Sequence, residues 1–275
     1  MRNYSKRFFC NVNEIEVNTY IYGLTTPLSS AQIAKLNIFV KSLKTGLGIT
    51  ALSQAFDTMY ILGGETAESS LRNLVKRAHD CTAVNSPTFT QFEGFTGGSG
   101  KWINTYYNAK LDGVTYTKNN ASVGLYSRTS GYSNEQVWIE AGSVSVGYYS
   151  YVLLSYKEEN RCIYRINSGV QPYGSSTIGN GSGMYIICRE NENPNGLYVF
   201  INKTLDMRVF YTQLTNDIPN ANWFILARSN NNNADFFSQR QISFAFFGKA
   251  FTQYESNVIT DAIEIYMDSN GKGVI

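Results

Sequence analysis

The side chains able to do chemistry are few and scattered. Nucleophilic catalysis of the Ser–His or Cys–His kind needs an imidazole, and the chain has a single histidine, His79 in "RAHDCTAV", with no GxSxG elbow to accompany it. A lone histidine at the edge of a strand, without the partners a triad requires, reads as structural. The same scarcity removes the usual zinc and iron sites. Cys10, Cys81, Cys162 and Cys188 are dispersed with no CxxC, so they are expected as reduced, mostly buried thiols, with a bridge between Cys162 and Cys188 left open.

Paired carboxylates are the next resource. A retaining glycosidase sets an acid and a nucleophile roughly 5 Å apart, most simply on one face of one strand. Glu14 and Glu16 have that two-residue spacing, as do Glu190 and Glu192 in "CRENENPNG". The second pair runs into Asn-Pro-Asn-Gly, a turn signature that places it in a solvated loop, and neither pair has an E-x-D-x-E pattern. No catalytic residue is assigned; a polysaccharide-cleaving enzyme using Glu190 and Glu192 is the least favoured reading.

Two polar stretches imitate ligand sites. "GFTGGSGKW", Gly94 to Trp102, contains Gly-Lys, but Trp102 follows the lysine and a strand follows the loop, whereas a phosphate loop needs a helix N-terminus. It reads as a turn. "NNNNADFF" separates the apolar runs "NWFILARS" and "RQISFAFF", and Asn and Asp accept the left-handed angles a turn needs. Calcium at the Asn230–Asp235 loop is the sharper alternative, with one carboxylate too few for a tight site. No metal and no cofactor are expected.

Aromatic residues are what remains. Trp102, Trp138, Tyr148, Tyr149 and Tyr151 stand on strands or at their ends, where a sugar could stack on the rings or another protein could pack. Tyr106 and Tyr107 belong to the same display, and half of these rings must face inward.

The elements that position them follow from composition and period. The 275 residues are 43% hydrophobic and 14% aromatic, with few charges and abundant Gly, Ser, Thr and Asn, a mainly β signature. A formal charge of +2 without a Lys/Arg block argues against nucleic acid, and no signal-type apolar core or run of roughly 18 apolar residues argues for a membrane. Residues 1–27 read as an arm whose Ile15, Val17, Thr19 and Ile21 alternate as in a strand. Residues 28–76 read as a helical lead-in. Ser29 caps a helix carrying Ile33, Leu36, Val40, Leu43 and Leu47 to Gly46–Gly48; "ITALSQAFDTMYIL" and "TAESSLRNLV" follow as shorter helical segments. Residues 77–275 hold twelve short apolar runs between turn clusters, then a helix opened by Thr252 and Glu255 that carries Ile259, Ala262, Ile263 and Tyr266. With no room for βαβ crossovers, the fold expected is an antiparallel jelly-roll β-sandwich.

Several phrases then carry a resemblance. "FDTMYILGGETAESSLRNLV", "AVNSPTFTQFEGFTGG", "ASVGLYSRTSG" and "WFILARSNNNNADFFSQRQISFAFFGKAFTQYESNVITDAIEIYM" resemble a recurring module of tailed-bacteriophage and prophage structural proteins. The likeness spans about residues 50 to 268, less clearly at 131 to 220. It implies a concanavalin A-like (lectin or laminin-G) sandwich in a virion component of tail, fibre or capsid decoration, assembled in the host cytoplasm. Other virion proteins and further copies of the chain are the implied partners. It implies no catalytic or metal-binding residue. Ile15, Val17 and Ile21 on the arm, with Ile33, Leu36, Val40 and Leu43 on the first helix, are the candidate assembly surface. A module recognising host surface polysaccharide through the aromatic residues is the alternative function.

Overall fold

The computed structural model describes residues 13–131, 138–156, 161–169, 174–176, 181–190, 196–209 and 217–275. Strands, several of them buried on both faces, build two stacked sheets. The first has eight strands: in order β13 (Thr204–Val209), β12 (Leu197–Ile201), β11 (Gly183–Arg189), β6 (Ala121–Ser127), β17 (Gln241–Gly248), β4 (Gly94–Thr96) and β3 (Thr88–Thr90), with β1 (Phe56–Tyr60) also on β17. The second has nine: β10 (Gly174–Ser176), β9 (Arg161–Ser168), β8 (Tyr148–Tyr156), β7 (Ala141–Ser145), β14 (Phe224–Ile225), β5 (Trp102–Asn104) and β2 (Thr82–Val84), with β15 (Arg228–Asn230) and β16 (Asn233–Asp235) beside β7. The mainly β sandwich with a C-terminal helix is as expected, with a parallel strand pair among the antiparallel ones. Leu226, at φ 68°, reverses the chain, so β15 runs parallel to β7 while β14 runs antiparallel to it.

One face of each sheet fills the interior. Val123, Leu125, Tyr185, Ile187, Val199 and Phe247 from the first sheet meet Ile103, Val152, Leu154, Tyr164, Ile166 and Ile225 from the second. The ion pair buried inside this layer is held by hydrogen bonds. Glu140 and Arg240 are both wholly buried. Glu140 accepts from Arg240 Nε at 3.1 Å, Ser238 Oγ at 3.1 Å and the Leu154 N–H at 2.7 Å, while Arg240 donates onward to the carbonyls of Thr129 and Gly131. Burial pushes the Glu140 carboxyl above its usual range, against the pull of the Arg240 charge. Arg189 spans the layers, donating from Nε to the Ile166 carbonyl at 2.8 Å, and burial brings its guanidinium down to about 10.

The other face of the eight-stranded sheet is equally apolar, with Tyr126, Met184, Ile186, Cys188, Phe200, Phe244 and Phe246. Such a face must be covered. Three helices do so: α1 (Ile15–Ile21), α2 (Ser30–Leu47) and, after the short α3 (Ala67–Ser70) and α4 (Ala109–Asp112), α5 (Gln253–Ser269). Both long helices start and stop where their caps predict. Ser29 Oγ accepts from the Gln32 N–H, Gly48 closes α2 in the left-handed region at φ 66°, and Thr252 with Glu255 forms a capping box on α5.

Three sequence expectations are corrected here. The arm segment Ile15–Ile21 is a helix: Glu16, Val17 and Tyr20, at helical spacing, are its buried residues. Its carboxylates Glu14 and Glu16 both reach Lys44 of α2, at 2.7 and 3.1 Å, and tertiary anchoring overrides the β-branched alternation. "ITALSQAFDTMYIL" is a 3-10 turn at Leu52–Gln54 followed by strand β1. A bulge between Phe56 and Thr58 places Phe56 and Met59 on the same side, three residues apart, which mimics a helix in sequence. "TAESSLRNLV" is helical for one turn only, because Asn73 then bonds the backbone of Met59, Val75 and Ala78 instead of continuing it.

Candidate functional site

Most of the candidate residues have local duties. Glu14 and Glu16 tie α1 to α2, and Glu16 also accepts from the Leu52 N–H at 3.1 Å. Glu190 lies just past β11, and Glu192 lies outside the described residues. His79, at φ 62°, sits with Nδ1 2.8 Å from the Tyr106 carbonyl and edge-on to Tyr107. Gly94 to Trp102 runs from β4 through a turn at Gly98–Lys101 into β5, with no helix after it. Asn231 and Asn232 take left-handed angles in the turn between β15 and β16, and the Asp235 carboxylate there is held by Arg228 in a two-bond fork of 2.7 and 2.6 Å. That pairing commits the loop's one carboxylate to Arg228. Cys162 and Cys188 lie in different layers, the first between the sheets and the second under the helices, so they do not bridge; burial pushes each thiol up to about 12. Cys10 lies outside the described residues.

The aromatic candidates converge better. Val152, Leu154, Tyr164 and Ile166 point into the interior, so Tyr149, Tyr151 and Arg165 stand on the outer face of the nine-stranded sheet. The registers there join into one cross-strand row: Thr82 beside Asn104, Asn104 beside Phe224, Phe224 beside Gly142, Gly142 beside Tyr151, and Tyr151 beside Arg165. With strands about 4.8 Å apart, the row is roughly 24 Å long. Arg165 Cζ lies 5.1 Å from the centre of the Tyr149 ring and 5.1 Å from that of Tyr151, so one cation fixes two tyrosines. Its Nε is buried with no hydrogen-bond partner.

A bulge builds this stack. Between Tyr149 and Tyr151 the partner strand β9 advances from Ser168 to Arg165, one residue too many, and Asn167 absorbs the excess at φ 53°. Asn167 is locked there by Ser150, whose Oγ accepts its N–H at 2.8 Å, and by the Tyr116 hydroxyl at 3.0 Å. Tyr148 is half-buried at the start of β8. Trp102 and Trp138 are not part of the stack. Trp102 packs on Phe224 and Phe237 at 5.8 and 5.9 Å, and Trp138 lies over the buried Arg240.

Of the expected assembly residues, Val17, Leu36, Val40 and Leu43 are buried in the chain's own helix layer and present no surface, a correction that follows from the apolar sheet face beneath them. Ile15 is 76% exposed; Ile21 and Ile33 are half-buried.

Sequence reasoning missed two residues that matter. Arg165 alternates with Cys162, Tyr164 and Ile166 in "NRCIYRIN", which signals an outward charge opposite the tyrosine strand. Asp57, buried on the β1 bulge, accepts from the N–H groups of Val114, Thr115 and Tyr116 and from the Tyr107 hydroxyl, and so clamps the loop after α4. Only the fold reveals it.

Comparison with known proteins gives the fold and no family. No family model matches the sequence, and no curated protein matches it. Solved structures do share the architecture at low identity. The botulinum neurotoxin serotype D binding domain aligns at 13% identity and TM-score 0.52, over 78% of this chain and 53% of that one. The botulinum neurotoxin type G receptor binding domain aligns at 12% and 0.52, over 76% and 52%. A Trypanosoma rangeli sialidase aligns at 9% and 0.54, over 85% and 39%. The chain spans about half or less of the length of each.

Proposed function

We propose that this chain is a non-enzymatic carbohydrate-binding sandwich that takes a saccharide on the outer face of its nine-stranded sheet, with Tyr149 and Tyr151 as the contact residues and the buried Arg165 holding both rings. The cross-strand row carries this reading. Two half-buried tyrosines clamped from within by one buried arginine form a stiff platform with apolar ring surface and hydroxyls, the mixture a pyranose face requires. Rings already fixed in place lose little entropy on binding. The names of the two neurotoxin binding domains fit a binding role for the fold. The engagement of Glu14 and Glu16 with Lys44 supports the absence of catalysis. The bacteriophage-module resemblance supports placing this face on a virion component, assembled in the host cytoplasm beside other virion proteins, where the ligand is a host surface polysaccharide.

Calorimetric titration with a panel of bacterial capsular and O-antigen polysaccharides tests it. Binding by the native chain is expected, weakened about tenfold or more in Tyr151→Ala, with the melting temperature kept. Absence of binding across the panel, or affinity unmoved by Tyr149→Ala and Tyr151→Ala, overturns the site. Release of reducing ends by the native protein overturns the non-enzymatic reading.

A further inference from the structure

The helix layer covers the eight-stranded sheet, yet it leaves apolar surface of its own. Ile38 on α2 and Ile265 on α5 are 57% and 56% exposed. The two helices are antiparallel in a fixed register: Lys35 Nζ bonds the Ser269 carbonyl at 2.7 Å, and Gly46 packs so closely on Val258 that a Cβ there would lie 2.4 Å from its Cγ1. Counting residue for residue between those two contacts, Ile38 is level with Tyr266 and beside Ile265. A small hollow lies between them, over Phe39 and Ala262, and a second groove of about 520 Å³ runs along the far side of α2 past Ile33, Ala34 and Lys41. Ile38 is therefore a ridge between two hollows.

Charge is segregated across the same surface. The charged residues of α2 are all lysines, Lys35, Lys41 and Lys44, and those of α5 are all acids, Glu255, Asp261, Glu264 and Asp268. Most are satisfied within the chain. Lys44 pairs with Glu14 and Glu16, Glu255 with Lys249, and Glu264 accepts from the Tyr126 hydroxyl. Lys41 and Asp268 are exposed and have no ion-pair partner among the described residues, and Asp261 is held only in an exposed pair with Lys203.

We infer that this face is a two-fold interface with a second copy of the chain, in which α2 of each protomer lies over α5 of the other. A two-fold axis parallel to the helix pair keeps the level of every residue and exchanges the two helices. It sets Ile38 on the other copy's Ile265 and brings Lys41 within about two residues' rise, roughly 3 Å, of the level of the other copy's Asp261. The product is a four-helix layer in which every neighbour is antiparallel, the favourable arrangement for helix dipoles and the common one for bundles. Helices about 26 Å long, paired to a width of about 20 Å, give roughly 1,000 Å² in total, at the lower limit for a specific interface. Because the sandwich separates the helix layer from the nine-stranded sheet, the dimer turns both Tyr149–Arg165–Tyr151 faces outward, an arrangement suited to avidity. The interface itself does not rest on the glycan reading.

Sedimentation equilibrium of the full chain tests it, with circular dichroism melting of each variant to confirm folding. The expected result is a concentration-dependent rise to twice the chain mass, with Ile38→Glu and Ile265→Glu each weakening association about 30-fold or more. Lys41→Glu and Asp261→Lys each weaken it, and the double variant recovers it. A native chain that stays monomeric at all concentrations overturns the proposal, as does a dimer that persists in both glutamate variants or a charge swap that fails to recover. A monomeric chain after removal of residues 1–12 assigns the face to that arm and equally overturns it.

Discussion

The outer faces of the two sheets are built by the same alternation and end differently. Beyond the eight-stranded sheet, the outward positions are Phe244, Phe246, Met184, Ile186 and Phe200, and α1, α2 and α5 bury them. Beyond the nine-stranded sheet, the outward row mixes Asn104 and Arg165 with Phe224 and Tyr151, and among the described residues no helix shares an apolar cluster with them. Residue type decides the outcome. Phenylalanine and methionine carry no strong hydrogen-bonding group, so their face requires a cover; Tyr149 and Tyr151 stay half-exposed, with the buried Arg165 guanidinium against both rings. One face is therefore sealed by the chain's own helices, and the other keeps two tyrosine rings half-exposed.

The largest expected effect is on the covered face. Phe246→Ala opens a hole beneath α5 beside Phe56 and Phe251 and is expected to cost about 3–5 kcal/mol in urea unfolding. A loss below about 1 kcal/mol breaks the comparison. Next comes Asp57→Ala, which strips the charge-assisted bonds from the loop at Val114–Tyr116 and leaves buried N–H groups unpaired, for about 3 kcal/mol. Hydrogen exchange is expected to rise in that loop before the strands.

Acid sharpens the contrast further. Glu68 is held below the usual carboxylate range by the Thr25 N–H, with Thr26 and Arg72 adding to it, and Glu93 by Lys272. For Glu255, burial pushes upward, but the bonds from Lys249 and Thr252 outweigh it and the net shift is downward. A depressed folded pKa means stability that is complete above the unfolded value near 4.3 and is lost as pH falls through the folded value. These groups fasten the helix side, so below about pH 4.3 the amides of α2 and α5 are expected to lose exchange protection before those of β7 and β8. The reverse order sinks the assignment. The smallest effect belongs to the open face: Tyr149→Ala is expected to shift stability by under about 1 kcal/mol, while it weakens polysaccharide binding.

Much of this was readable from local chemistry. Ser29 with Gln32 and Thr252 with Glu255 mark helix starts because capping is a property of adjacent residues, and the alternation of Val123 with Leu125 or Tyr149 with Tyr151 marks strands for the same reason. Bulges were not readable. At Asp57 one extra residue turned a strand into an apparent helix, and at Asn167 another set the alignment of Arg165 with two tyrosines. Both depend on the partner strand, which lies far away in sequence. The helix at Ile15–Ile21 failed for a related cause, since Lys44 and Leu52 decide its state.

The cover over Phe244 and Phe246 is assembled from segments at opposite ends of the sequence, 15–47 and 253–269. During synthesis the ribosome releases the eight-stranded sheet's greasy side before its last lid is made. A product cut short ahead of Thr252 leaves that side uncovered and is expected to be sticky and chaperone-bound.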